Sequence, residues 1–359
     1  MPPLASASPR RSPPNPRLRR VRGGPLLLLL LMACAPMKPG ATAHGGAGAQ
    51  GDDVAVEPPK PHPPPVRVDT QASAIVLVEP RDVTLVLAME TLRTHPIGQN
   101  LGPLFAVMPQ WRQLVQGLVK DPIRDLDWIF VSGPSLQSTA KDAVLVRYAL
   151  DDAKVDDAID ALGRSTPAVA PFDLGVQGAK GTLANLDDGA RVLVRAHPSL
   201  LVLSPPEKAA AAAAVLVRSN VVAPARAGEA FRLSLKDPHA QAPQVPASVH
   251  EARVWIMPRA DGGAEVFGEG DCDDDTRATA AAEELKETIR RTNHIGVRIV
   301  TQNILGSTRI AHEGSKVTLH LPASREQLQA TLGIVAAFLG VDISPRPAPS
   351  ATSSPSSPH

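Results

Sequence analysis

The chain has 359 residues, with 37 Lys and Arg against 36 Asp and Glu, two cysteines and 3% aromatic residues. Six of the arginines (Arg10, Arg11, Arg17, Arg19, Arg20 and Arg22) precede residue 34 and no acid does, so the rest of the chain carries 31 bases against 36 acids, a net charge of −5 with histidine neutral. A mildly acidic surface has no basic stripe for phosphate backbones, which argues against nucleic acid as a partner, and a core this poor in aromatics is built from Leu, Val, Ile and Ala.

The arginines lead into an apolar run, Leu26 to Ala33, that ends at Cys34. Eight helical residues span about 12 Å against roughly 30 Å of bilayer hydrocarbon, too short for a membrane span. A positive segment, a short apolar segment and a small residue before cysteine read instead as an export signal over residues 1–33. The stretch Leu31-Met32-Ala33-Cys34 resembles the lipobox of bacterial lipoproteins, with Met32 where that family usually has a small residue. The resemblance implies cleavage before Cys34 and acylation of its thiol, so that the bilayer is a partner through Cys34. By the same resemblance, Ala35 in place of Asp after the cysteine favours the outer membrane of a Gram-negative envelope. Ala41-Thr42-Ala43 offers an ordinary signal-peptidase site, so a secreted protein starting at His44 stays open.

Residues 34–70 are rich in Gly, Ala and Pro with few apolar anchors, and are expected to form a disordered tether. As a random coil it reaches roughly 30 Å, longer where the proline run around Pro58 to Pro65 stiffens it. With Cys34 acylated, Cys272 has no partner for an intramolecular disulfide. Residues 344–359 form a Ser/Pro-rich tail, also expected to be disordered.

Between the tails the apolar periodicity alternates between that of strands and that of helices. Strands are expected at 75–78 and 83–88, short helices through 95–117, a turn at Asp121-Pro122, and strands at 126–132 and 142–150. A helix carrying Val155, Ala158, Ile159 and Leu162 on one stripe follows, then a hairpin turning at Asp188-Gly189, a strand at 199–203 and an alanine-rich helix at 206–219. Strands at 249–257 and 263–269 turn at Asp261-Gly262, a helix starts at Asp275, a hairpin turns at Glu313-Gly314, and a helix at 324–340 closes the series. Hairpin-length connections give an α+β protein of mostly antiparallel sheet with packed helices. Hairpin-helix-hairpin-helix occurs twice, over residues 71–225 and 226–343. Asp188-Gly189-Ala190-Arg191-Val192 is echoed by Glu313-Gly314-Ser315-Lys316-Val317, so the halves are expected to be pseudo-repeats.

The chemistry-bearing residues are sparse. Asp271, Asp273 and Asp275 have the D-x-D-x-D spacing of a calcium loop, but Thr276 and Ala282 stand where an EF-hand needs Gly and Glu. Acids before a helix also cap its free N–H groups, which makes these three weak metal candidates. Carboxylates around Cys272 raise a thiol pKa, so it is expected to pack, not react. His312 and His320 flank one hairpin without a third ligand nearby. Ser135 and Ser307 lie outside any G-x-S-x-G elbow. Asp125 and Asp127 are expected to face solvent beside buried Leu126 and Trp128, and Asp156, Asp157 and Asp160 to form the solvated side of a helix. Trp128 and Trp255 are expected in the core, with Trp111 a candidate lining residue of a groove. No catalytic motif, cofactor motif or P-loop is present in the sequence. The expectation is a non-catalytic, membrane-anchored lipoprotein that binds or spaces other envelope proteins; the alternative is an envelope hydrolase assembled from distant segments. The layout is similar to that of uncharacterised lipoproteins of GC-rich bacteria, a likeness that implies no activity.

Overall fold

A computed structural model describes residues 81–106, 119, 121–136, 139–165, 169–186, 189–218 and 225–339. The expected signal, tether and tail, Cys34, the strand expected at 75–78, and Trp111 lie outside these residues.

Among the described residues, twelve strands form one antiparallel sheet. They are β1 (Val83–Ala88), β2 (Leu126–Gly133), β3 (Ala143–Tyr148), β4 (Ala170–Phe172), β5 (Lys180–Leu186), β6 (Gly189–Arg195), β7 (Leu200–Ser204), β8 (Phe231–Lys236), β9 (Glu251–Pro258), β10 (Ala264–Asp271), β11 (Arg309–Glu313) and β12 (Lys316–Ala323). Their order across the sheet is β11-β12-β10-β9-β8-β1-β2-β3-β7-β6-β5-β4. The described helices are α1 (Met89–Arg93), α2 (Gly98–Ala106), α3 (Pro122–Asp125), α4 (Asp152–Ser165), α5 (Pro206–Arg218), α6 (Pro238–Gln241), α7 (Asp275–Thr292), α8 (Ile295–Val300) and α9 (Arg325–Leu339). The protein is α+β with a large antiparallel sheet. The hairpin glycines Gly262 and Gly314 adopt φ of +87° and +54°, where a side chain would be strained.

β8 was not among the expected strands, although Phe231, Leu233 and Leu235 alternate with Arg232, Ser234 and Lys236. It pairs with β1 on one side and β9 on the other, in register Leu87↔Phe231, Leu85↔Leu233 and Val83↔Leu235 against β1. The sheet is therefore continuous across the boundary expected at residue 225. One transverse row crosses all twelve strands: Arg309, His320, Phe267, Trp255, Arg232, Val86, Phe130, Leu145, Val202, Val194, Gly181 and Phe172. Directly opposed residues share a face, so this row defines one side of the sheet from edge to edge.

The side away from the row is apolar along most of its length. Leu87, Ile129, Val144, Val146, Leu201, Leu203, Phe231, Leu233 and Leu235 join Val155 and Ile159 of α4 in one cluster that spans the β1–β8 seam. Beyond it, Ala278, Ala281 and Ala282 of α7 pack on Val249, Cys272 and Val317, while Leu328 of α9 packs with Val266, Leu321 and Ala323. Leu104 of α2 meets Val335 and Ala336 of α9, a second link between the early and late parts of the chain. A third runs through buried His95, whose Nε2 donates to the Gly263 carbonyl at 3.0 Å while its Nδ1 accepts from the Ile97 N–H. These two bonds set the tautomer.

The side carrying the row is covered only in part. Ala209, Ala212, Ala213 and Leu216 form one stripe of α5 and pack on Leu145, Val192, Val194, Leu200 and Val202. The three alanines are 0% exposed, because a side chain this short lets the helix axis approach the sheet. From β8 to β12 the same side shows no buried residue: β10 alternates buried and half-buried along its whole length, and the half-buried residues are Glu265, Phe267, Glu269 and Asp271.

A bulge corrects one expectation. Leu126 pairs with Tyr148 but Trp128 pairs with Arg147, so the register slips by one at Asp127. Leu126 and Trp128, two residues apart, therefore point to opposite faces and are buried in different clusters. Asp127 is not simply solvated. It lies 3.4 Å from Arg93 and 3.6 Å from Arg147. Asp125 is turned inward to accept the Asp121 N–H, while Asp121 caps α3 through Ile123 N and Arg124 N.

Candidate functional site on the open sheet face

The open part of the row holds an aromatic stack. Trp255 and Phe267 lie 5.5 Å apart between ring centroids and Phe267 and His320 lie 4.9 Å apart, at interplanar angles of 18° and 14°. Strand spacing of about 4.8 Å brings same-face neighbours on β9, β10 and β12 to ring-stacking distance. The Arg226 guanidinium sits 5.8 Å from the Trp255 ring centre and closes the stack at its inner end. Trp255, expected in the core, is half-buried on this open surface, where no helix among the described residues packs on β9.

Charges flank the rings. His320 Nε2 and Glu265 Oε2 are 2.5 Å apart, and Glu265 also receives a 2.7 Å bond from Arg259. Glu265 and, after it, Asp261 raise the Arg259 guanidinium above its ordinary value, while the Gly263 N–H and Arg259 hold the Asp261 carboxyl below its own. Arg253 reaches Asp271 at 3.3 Å, Glu251 at 3.5 Å and Glu269 at 3.9 Å. At the seam, Glu229 is fully buried. Its Oε2 accepts the Arg226 N–H at 2.8 Å and lies 3.3 Å from Arg232, while its Oε1 has no hydrogen-bond partner among the described residues. Burial holds the Arg232 guanidinium below its usual value against the pull of Glu229. This buried pair and the Trp255–Phe267–His320 stack were not identified from the sequence. The signal that carries the stack is the alternation of β9, β10 and β12, which puts one aromatic ring per strand in the same row.

The expected metal candidates do not converge. Asp271 points to the open face, where Lys316 and Arg253 hold it, while Asp273 pairs with Arg277 and lies 3.8 Å from His250. Asp275 is the first residue of α7, and Asp274 caps that helix through the Arg277 N–H. Among the described residues, no three His, Cys, Asp or Glu are gathered as a metal ion requires. Cys272 is 4% exposed. Burial pushes its thiol up, the Ser248 hydrogen bond opposes this, and Asp271 and Asp274 add to the rise. His312 and His320 project from opposite faces, since His312 pairs with Val317 and His320 with Arg309. His312 instead meets the Thr279 hydroxyl of α7 at 3.1 Å. Ser135 donates to Gln241, and Ser307 to the Ile304 and Pro322 carbonyls.

A second polar cluster is built for packing. Asp152, at the start of α4, accepts from the Tyr148 hydroxyl and from Ser199 N, and lies 3.1 Å from Arg195. Arg195 also bonds Asp156 at 2.7 Å and sits over the Tyr148 ring. Burial and the bond to Asp152 push the Tyr148 hydroxyl well above its ordinary value, and the same bond holds the Asp152 carboxyl down. Asp156 is thus tied to β6 through Arg195, while Asp157 and Asp160 are exposed.

No family model and no curated protein matches the chain. Matching solved structures include a double-ringed trimeric shell protein from the RMM microcompartment, with 13% identity over 56% of this chain and 84% of that one, at a TM-score of 0.12. A superposition that poor carries no inference about fold or function. Among the described residues, no helix is long and apolar enough to cross a membrane.

Proposed function

We propose that the chain is a bacterial lipoprotein, cut before Cys34 and acylated there, whose folded domain is a non-catalytic binding or structural unit of the cell envelope. The Leu31-Met32-Ala33-Cys34 stretch and the Pro/Gly/Ala-rich segment after it support the anchoring and the tether. The observation that carries the binding role is the half-open face of β8–β12, with its Trp255–Phe267–His320 stack between paired charges. Half-exposed aromatic rings set among polar groups are a common composition for protein interfaces. Its partner is another envelope component.

An internal duplication belongs to the same reading. With β4, β5 and the helices α1–α3, α6 and α8 set aside, the order β1-β2-β3-α4-β6-β7-α5 parallels β8-β9-β10-α7-β11-β12-α9, and the two leading strands, β1 and β8, pair antiparallel around Leu85 and Leu233. A twofold axis through that pair relates two copies without inverting the sheet. The strand beside the third strand is β7 in one copy and β12 in the other, which aligns the hairpin β6–β7 with β11–β12. The Asp188-Gly189 echo of Glu313-Gly314 is displaced by one hairpin from that alignment. The last helices differ, since α5 lies on the row side and α9 on the other.

Two measurements test the function. Mass spectrometry of the mature chain from membranes is expected to find acylated Cys34 at the N-terminus; His44 there overturns the anchor. A photo-crosslinking residue replacing Thr318 on the open face is expected to capture an envelope component, while one replacing Val217 on α5 captures none. Equal adducts from both positions, or none from position 318, overturn the binding role of this face.

A further inference from the structure

We propose that α8 and the segment around it dock on an anionic lipid surface. The strongest exposure of large aliphatic side chains among the described residues lies on this one short helix: Ile295 is 77% exposed, Ile299 71% and Val300 53%. Ile295 and Ile299 are one helical turn apart and share a face, with Arg298 beside them. Val297 points the other way and packs with Ile304 and Leu305, which fixes α8 to the domain. The helix is therefore a presented feature, held on its inner side and bare on its outer side.

Charge selects the occupant. From Thr288 to His312 the chain carries four arginines and two histidines without one Asp or Glu, in a protein whose remainder beyond residue 33 is net acidic. Arg290 and Arg291 share the single carboxylate of Glu287, and Arg298 is exposed with no ion pair among the described residues. Exposed aliphatic side chains beside surplus cations match the boundary between anionic headgroups and acyl chains, where an apolar helix face sinks about 5–10 Å. A second copy of the same surface would bring like charges together. Six residues and three aliphatic side chains are too few to hold a free protein, so α8 orients a domain that something else keeps near the bilayer. In that respect alone the proposal rests on the acylated-anchor reading.

The test uses the full chain on vesicles, with Ile299→Trp compared with Val217→Trp, an exposed site on α5, at 45% against 71% for Ile299. Tethering acts on both variants alike, so their difference reports local docking, and the mass of the mature N-terminus reports the anchor separately. With phosphatidylglycerol-containing vesicles whose lipids are brominated high on the acyl chain, tryptophan at 299 is expected to be quenched several-fold more than at 217. The difference should be lost in pure phosphatidylcholine and when Arg298→Glu is added. Ile295→Trp provides a second position with the same expectation. Equal quenching at 299 and 217 overturns the proposal, as does equal quenching in neutral and anionic vesicles. Concentration-dependent shielding of 299 from an aqueous quencher without vesicles would assign the surface to a second copy instead.

Discussion

Two stretches of the transverse row, over β3, β7 and β6 and over β9, β10 and β12, have the same sheet geometry and opposite fates. On the β1 side, Val86, Leu145, Val202 and Val194 are at most 2% exposed, the last three beneath α5, while on the β8 side Trp255, Phe267 and His320 remain half open. The difference lies in the strands before it lies in the helices. β7 reads Leu-Leu-Val-Leu-Ser and β3 begins Ala-Val-Leu-Val, apolar on both faces, so each face needs a cover, and α4 and α5 supply one apiece. β10 and β12 alternate, with Val266, Leu321 and Ala323 on one side and Glu265, Glu269, Thr318 and His320 on the other. A helix laid on that polar side would desolvate charges for little apolar gain, and α9 packs on the apolar side instead.

The sharpest way to break this comparison is to place one carboxylate in each stretch of the row. Val202→Asp buries an unpaired charge at a 0% exposed position and is expected to cost about 5 kcal/mol or more, abolishing cooperative folding. Phe267→Asp loses ring stacking and partial burial and is expected to cost only about 1–2 kcal/mol. Urea titration of both variants reads the contrast, and equal losses would mean that the second face is covered. Next in size is Glu229→Ala at the seam. It removes the buried carboxylate beside Arg232, which is 12% exposed, and is expected to cost about 3–5 kcal/mol. Glu229→Gln combined with Arg232→Met should recover part of that loss, because the pair is then removed together.

Much of this organisation was legible in the sequence, and the failures are specific. The strands read from 126, 142, 199, 249 and 263 and the helices read from 206, 275 and 324 all occur with small shifts at their ends. β8 is absent from the expected strands although Phe231 to Lys236 alternates cleanly, and nothing local marks it as the strand at the centre of the sheet. The bulge at Asp127 was invisible, since one slipped residue leaves the apolar pattern of Leu126 and Trp128 unchanged while sending them to opposite faces. The expectation that Trp255 lies in the core rests on its strand position alone. Only knowledge of which strands lack a second cover, which continuous and alternating runs encode, would have placed it on the open face. Convergence of Glu229, Arg226 and Trp255 required the tertiary fold.

A smaller contrast concerns acid. Asp152 has a folded pKa below its ordinary value, so its contribution is complete above the unfolded carboxylate pKa near ~4 and is lost as pH falls through the folded one. Wild-type stability should therefore decline below about pH 4, and Asp152→Asn, with no carboxylate there to titrate, should show less of that decline. At neutral pH the substitution is expected to cost about 1–2 kcal/mol, since a charge-assisted acceptor for Tyr148, Ser199 and Arg195 is replaced. Thermal melts across the pH range check both statements, and an unchanged acid limb would remove Asp152 from the cluster that fastens α4.

The smallest expected effect bears most directly on whether the β8–β12 face is open. Arg253 is 40% exposed and sits among Glu251, Glu269 and Asp271. On a solvated surface such pairs contribute at most about 1 kcal/mol, so Arg253→Ala is expected to cost about 0.5 kcal/mol at low salt, most of it repulsion among the three remaining acids. Near 1 M salt the Debye length is only about 3 Å, and the cost should vanish. A loss above about 2 kcal/mol that persists at high salt would mean these charges are out of water. The face would then already be occupied in the isolated protein, and the aromatic stack would be the interior of an assembly instead of a surface waiting for a partner.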